Sequence, residues 1–211
     1  MPKVLFLDLE VAPTIATVWG LFNQNIGITQ ITGNSEVLTW AASWMGEDHV
    51  LYSSLAMSPK ARLIEDMHKL LCEADYVVTY HGDGFDLKIL NKEFLELGLA
   101  PPTPYKSVDL LKVVRRNFRF TSNKLDYVSQ KLGLGKNIHH RGHQLWLDCM
   151  AGSKQAFKEM SEYNIQDVVL LEKLFDKLTP WIKSINYAQF SGEYVCPHCG
   201  GTHLQKRGHR T

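Results

Sequence analysis

The chain has 211 residues, 45% hydrophobic and 21% charged, which is enough apolar material for a real core and excludes a disordered chain. At roughly 150 residues per domain, that length predicts one domain with an appendage. Lys+Arg 23 against Asp+Glu 22 leaves a net charge of +1, so overall charge predicts no partner and any nucleic-acid footprint must be local.

In chain order, residues 4–9 form an apolar run that ends in two acids, Asp8 and Glu10. Such a run reads as a buried strand with polar residues at its carboxyl end. Residues 15–32 mix Thr, Gly, Asn and Ile, which predicts a second strand and a loop. Residues 37–45 are rich in strand formers, Gly46-Glu47-Asp48 turns the chain, and residues 49–53 return, so a hairpin is expected. Ser58 is placed to cap a helix carrying Leu63, Ile64, Met67, Leu70 and Leu71 at helical spacing. A strand is expected over 76–80, and a helix over 85–97 that closes at Gly98. Residues 108–111 read as a short strand or a helix start, and 125–132 as a helix ending near Gly133. Residues 154–183 carry a long amphipathic pattern that Pro180 breaks or bends. Strands first, then alternation, then helices predict a mixed sheet with helices on its faces.

The boundary is placed after residue 185, giving domain 1–185 and a tail 186–211. The start lacks the basic and apolar regions of a signal peptide, and no stretch of about 18 apolar residues occurs. The four cysteines, at 72, 149, 196 and 199, do not read as a disulfide framework. The expectation is an intracellular, cytoplasmic, reduced protein without a membrane partner.

The strongest signal is four acids in three places. Asp8-Leu9-Glu10 sets two carboxylates two apart on a strand, hence on one face. Asp86 follows a buried strand and opens a helix, after His81-Gly82-Asp83-Gly84-Phe85. Tyr163 and Asp167 are four apart in a helix and share a face. Singly, each reads as solvated acids at strand or helix ends. Together they suit hard divalent cations, Mg²⁺ or Mn²⁺, which prefer oxygen ligands. A pair of such ions can activate water and stabilise a leaving oxygen in phosphodiester cleavage.

On those residues the sequence resembles the DEDD superfamily of 3′→5′ exonucleases, in particular the proofreading exonuclease domain of family B DNA polymerases. The family motifs are Asp-x-Glu, Asn-x-x-x-Phe-Asp and a late helix with Asp. Here they read Asp8-Leu9-Glu10, His81 to Asp86 and Tyr163 to Asp167. Tyr-x-x-x-Asp marks the DEDDy branch; Glu162 breaks the DEDDh spacing. The segment from Ser122 to Gly133 also resembles that domain, so the likeness covers roughly residues 3–178.

The resemblance implies an α/β, ribonuclease-H-like mixed sheet of about five strands flanked by helices. It implies a stand-alone exonuclease acting by a two-metal mechanism on the 3′ end of single-stranded DNA, and a separate DNA polymerase as a candidate partner. It implies that Asp8, Glu10 and Asp167 ligate one ion, that Asp8 and Asp86 hold the second, and that Tyr163 orients the attacking water. Two positions depart from the pattern: Val11 where Thr is frequent, and His81 where Asn is usual. Both, with Phe85, fall where the terminal nucleotide would be held. RNA as substrate, and an inactive nucleic-acid-binding adaptor, stay open as alternatives.

Between 112 and 141 the chain is basic, with Asp126 its one acid and Phe118 and Phe120 interleaved. Arg115, Arg116, Arg119 and Lys124 are the candidate contacts to a single strand, through phosphates and stacked bases. In the tail, Cys196-Pro-His-Cys199-Gly-Gly resembles the first half of a zinc ribbon whose second Cys pair is absent. A closed Zn²⁺ site takes four ligands, and the candidates are Cys196, Cys199, His203 and His209, with His198 inside the knuckle. Cys72 and Cys149 read as buried thiols.

Overall fold

The computed structural model describes residues 2–186, 188, 195–197 and 201–205. Its central strand, β1 (Val4–Val11), feeds two cores at once. Successive strand side chains point to opposite faces. Leu5, Leu7 and Leu9 enter one core, and Val4 and Phe6 the other. By that parity Asp8 and Glu10 continue the Val4–Phe6 row.

β2 (Ile15–Ala16) and β3 (Ile31–Gly33) pair with each other outside the main sheet. β4 (Val37–Trp44) runs antiparallel to β1, with Ala41 opposite Asp8 and Thr39 opposite Glu10. β5 (Val50–Ser54) returns antiparallel to β4. β6 (Tyr76–Thr79) lies parallel to β1, and β7 (Lys106–Asp109) parallel to β6. The order β5-β4-β1-β6-β7 is a mixed five-stranded sheet, as the sequence predicts.

Helices cover both faces. α1 (Lys60–Glu73) and α2 (Asp86–Glu96) bury Leu63, Ile64, Met67, Leu71, Leu87, Leu90 and Phe94 against the Leu5–Leu7 row. On the opposite face are α3 (Leu110–Asn117), α4 (Leu125–Lys131) and the long α6 (Lys154–Leu178). Val168, Leu171, Leu174, Phe175 and Leu178 of α6 pack on Val4 and Phe6. The Phe6 and Phe175 rings meet edge to face, 5.3 Å apart. Each such burial contributes roughly 1.5–3 kcal/mol. It anchors α6 along β1, so one or two turns nearer its N-terminus α6 must pass over Asp8 and Glu10.

Three local features differ from expectation. Pro59, not Ser58, is the N-cap of α1, and no side chain caps it; Pro pre-sets the backbone torsion there. Residues 108–111 are both things: β7 ends and α3 starts between Asp109 and Leu110, with the Asp109 carboxylate capping the helix. α5 (His143–Met150) has no counterpart in the sequence reading. It buries only Leu145 and Cys149, packed with Ala156, Phe157 and Met160 of α6. Among the described residues, no helix is long and apolar enough to cross a membrane.

Candidate functional site

At the carboxyl end of β1, Asp8 and Glu10 meet Asp167 of α6. One carboxylate oxygen from each lies within 4.8 Å of the others. Glu10 and Asp167 are buried and Asp8 is partly so. Their partners are neutral side chains. The Asn164 amide donates to Asp8 Oδ2 at 2.7 Å, while its own oxygen accepts from Thr39 Oγ1 at 2.9 Å. The Asn137 amide donates to Asp167 Oδ1 at 2.7 Å. The Tyr163 hydroxyl bonds Asp167, and Trp146 bonds Glu10.

Burial and mutual repulsion move these acids. Loss of hydration, then repulsion from Asp167 and Asp86, pushes Glu10 up to about 8. Loss of hydration pushes Asp167 up to about 6 against the Asn137 and Tyr163 hydrogen bonds. Asp8 is held well above the carboxylate range, first by burial and then by Asp167, Asp86 and Glu10. Burial, with the nearby acids, also raises the Tyr163 phenol, so its hydroxyl is a donor at neutral pH. Three carboxylate oxygens within 4.8 Å of one another, held by neutral donors, are a donor set that fits a hard divalent cation.

Asp86 stands beside this cluster rather than within it. The parallel ladder between β1 and β6 spans Val4–Phe6; beyond it the Leu9 N–H donates to Asp86 Oδ1 at 3.2 Å. Asp86 is 5% exposed, and burial raises it to about 6. The turn that delivers it needs glycine. A Cβ on Gly82 would sit 2.3 Å from Thr79 Oγ1, and one on Gly84 2.6 Å from His81 Cε1. His81 itself is left-handed, with φ 79°, a cost of roughly 1–2 kcal/mol for a residue with a Cβ. Asp109 offsets it by accepting from the His81 N–H at 2.9 Å while capping α3 through the Leu111 N–H at 3.0 Å.

A cavity of about 560 Å³ opens over the acids. Asp8, Glu10, Tyr163, Asp167, His81, Arg115 and Lys124 line it. Asp86, Val11, Phe85, Arg116 and Arg119 are not among its lining residues. A second space of about 790 Å³ shares Asp126, Asn137 and Tyr163 with it and continues past Lys136, His139 and His140. Tyr163 is fixed edge-on by His140, 4.7 Å away, and by Trp146, 6.3 Å away.

Asn137, Trp146 and Asn164 are site residues absent from the sequence reading. Asn164 had a signal, its place inside the third motif beside Tyr163. Asn137 lies in a loop of glycines with positive φ, Gly133, Gly135 and Gly142, where no periodicity points inward. In the tail, Cys196 and His203 are described, whereas His198, Cys199 and His209 lie outside the described residues.

A family model described as RNase_H superfamily (RNase_H_2) matches residues 24–179, well over half of the chain. The match includes Asp86, Tyr163 and Asp167 and starts after β1. A search of curated proteins finds no match. Among solved structures, the family B DNA polymerase from the hyperthermophilic archaeon Pyrobaculum calidifontis is similar, with TM-score 0.63 and 18% identity over 85% of this chain. The chain spans 25% of that polymerase, and the likeness is one of fold.

Proposed function

The chain belongs to the RNase H superfamily, and from that membership we propose that it is a metal-dependent 3′→5′ exonuclease of single-stranded DNA. The observation that carries the reading is the convergence of Asp8, Glu10 and Asp167 within 4.8 Å, beside a Tyr163 hydroxyl bonded to Asp167. Asp8, Glu10 and Asp167 would hold one Mg²⁺ or Mn²⁺, and Asp8 with Asp86 the second. When bound, such ions supply Lewis-acid polarisation of the phosphodiester and make water more acidic.

The chain's own groups do the rest. Arg115 and Lys124, on the cavity wall, draw the phosphate toward the acids. Tyr163 keeps its proton and orients the attacking water by hydrogen bonding; a phenol so placed is a poor base. Its aromatic brace of His140 and Trp146 fixes that hydroxyl. Asn164 and Asn137 hold Asp8 and Asp167 in one rotamer each, which keeps the ligand set preorganised. His81 lines the cavity, in the position expected to hold the terminal nucleotide.

The test is hydrolysis of single-stranded DNA and RNA of one sequence by wild type and Asp8→Ala, in Mg²⁺, Mn²⁺ or EDTA. Metal-dependent shortening of DNA, absent in the variant, is the expected result. Faster loss of RNA moves the substrate to RNA. Binding without hydrolysis in every metal leaves an adaptor.

A further inference from the structure

The basic segment divides between two cavities. Arg115 and Lys124 line the space above the acids. Arg116, the next residue of α3, lines a separate cavity of about 370 Å³ together with Lys112, Asn117, Trp181 and Lys183. Neighbouring helix positions stand about 100° apart around the axis, so one helix offers cations on two sides. Among the described residues, no acidic side chain lines this 370 Å³ cavity. Lys112 is paired with Asp83 at 2.6 Å, whereas Arg116 and Lys183 have no ion-pair partner among the described residues. Trp181 is 45% exposed. Its ring is braced edge-on by Phe118, 5.2 Å away, and Phe118 in turn meets Phe120 at 5.8 Å.

Unpaired cations beside an open, braced indole match what a single strand offers: phosphates along one side and a base face along the other. An acidic protein segment would use the cations but gives the indole nothing to stack on. We propose that this cavity is a second nucleic-acid subsite, which holds the strand on the 5′ side of the nucleotide being removed, with Trp181 stacking a base and Arg116 and Lys183 contacting phosphates. The proposal rests on the exonuclease reading, because the acid cavity fixes where the 3′ end lies. Between the two cavities the strand must cross α3, about 10–12 Å wide, or roughly three stacked nucleotides at about 3.4 Å each. Short substrates therefore end before the subsite, and long ones reach it. DNA and RNA share the phosphate and the base face, so either strand would fit.

The experiment uses the full chain carrying Asp8→Ala to measure binding, and the chain with Asp8 intact to measure hydrolysis. Fluorescent oligothymidylate and oligouridylate of about 3 and about 12 nucleotides span the range of single-strand site sizes. Trp181→Ala and the pair Arg116→Glu with Lys183→Glu are compared with the parent; the pair alters exposed side chains and keeps the Phe118 contact. Each is expected to weaken binding of the long strand about tenfold, the loss of one stacked base or its phosphate contacts, and to leave the short strand's binding and hydrolysis unchanged. The nucleotide arm with the larger loss identifies the preferred strand. Equal losses on both lengths, no loss on either, or displacement of the long strand by polyglutamate alone overturns the subsite. Hydrolysis of the short strand reports on the exonuclease reading separately, because the subsite does not touch it.

Discussion

Replacing Glu10 by Gln should make the metal-free protein more stable while abolishing its proposed activity. Glu10 is 8% exposed and sits in a cluster whose oxygens lie within 4.8 Å. Two full charges at 4.8 Å repel by roughly 3 kcal/mol at an effective dielectric constant of about 20. Burial and these neighbours carry the carboxyl from 4.5 to about 8, a shift worth roughly 5 kcal/mol at most. The folded chain therefore holds the Glu10 proton more tightly than the unfolded chain does. Between pH 4.5 and about 8 the folded state binds more protons, so stability falls as pH rises through that window. Gln removes the titrating charge and leaves an oxygen to accept from Trp146. Thermal unfolding in EDTA is the assay. Wild type and Glu10→Gln should melt together near pH 5. At pH 8 the variant should be more stable by roughly 2–4 kcal/mol, or about 5–10 °C for a chain of this size. Saturating Mg²⁺ should close most of that gap, since an ion held at about 100-fold above its Kd adds roughly 3 kcal/mol to wild type alone. A variant less stable than wild type at both pH values would refute the repulsion argument.

Other substitutions probe the supporting residues. Tyr163→Phe should lower hydrolysis by roughly 100-fold, as misplacement of an attacking group does, with the melting temperature unchanged; full activity would remove Tyr163 from the chemistry. Asn137→Ala frees Asp167, and a Mn²⁺ titration should read a metal affinity weakened about 10–100-fold, whereas unchanged affinity would make that hydrogen bond incidental. Gly82→Ala places a Cβ 2.3 Å from Thr79 Oγ1 and should cost roughly 1–3 kcal/mol in denaturant unfolding; a neutral result would mean the turn relaxes freely.

What the sequence disclosed was what local spacing can carry. Two residues on a strand or four on a helix share a face, so Asp8 with Glu10 and Tyr163 with Asp167 were readable as pairs. The alternation of Leu5, Leu7 and Leu9 with Val4 and Phe6 likewise foretold a strand buried on both faces. Contacts made across the chain left no such trace. Asn137 reaches Asp167 from a glycine-bent loop, and Trp146 reaches Glu10 from a short helix that buries only two residues. The basic segment was legible as composition but not as direction. Where α3 begins decides which arginine faces the acids, and that start is set by the Asp109 carboxylate, which also holds His81.

The proposed activity is removal of nucleotides from a free 3′ end by the acid cluster. One single-stranded DNA labelled at its 5′ end, and the same strand labelled at its 3′ end, test it with wild type and Asp8→Ala in Mg²⁺. A 3′→5′ exonuclease gives a one-nucleotide ladder from the 5′ label, immediate release of labelled mononucleotide from the 3′ label, and neither in the variant or in EDTA. Internal fragments as first products, ladders that begin at the 5′ end, or hydrolysis that survives Asp8→Ala would contradict it.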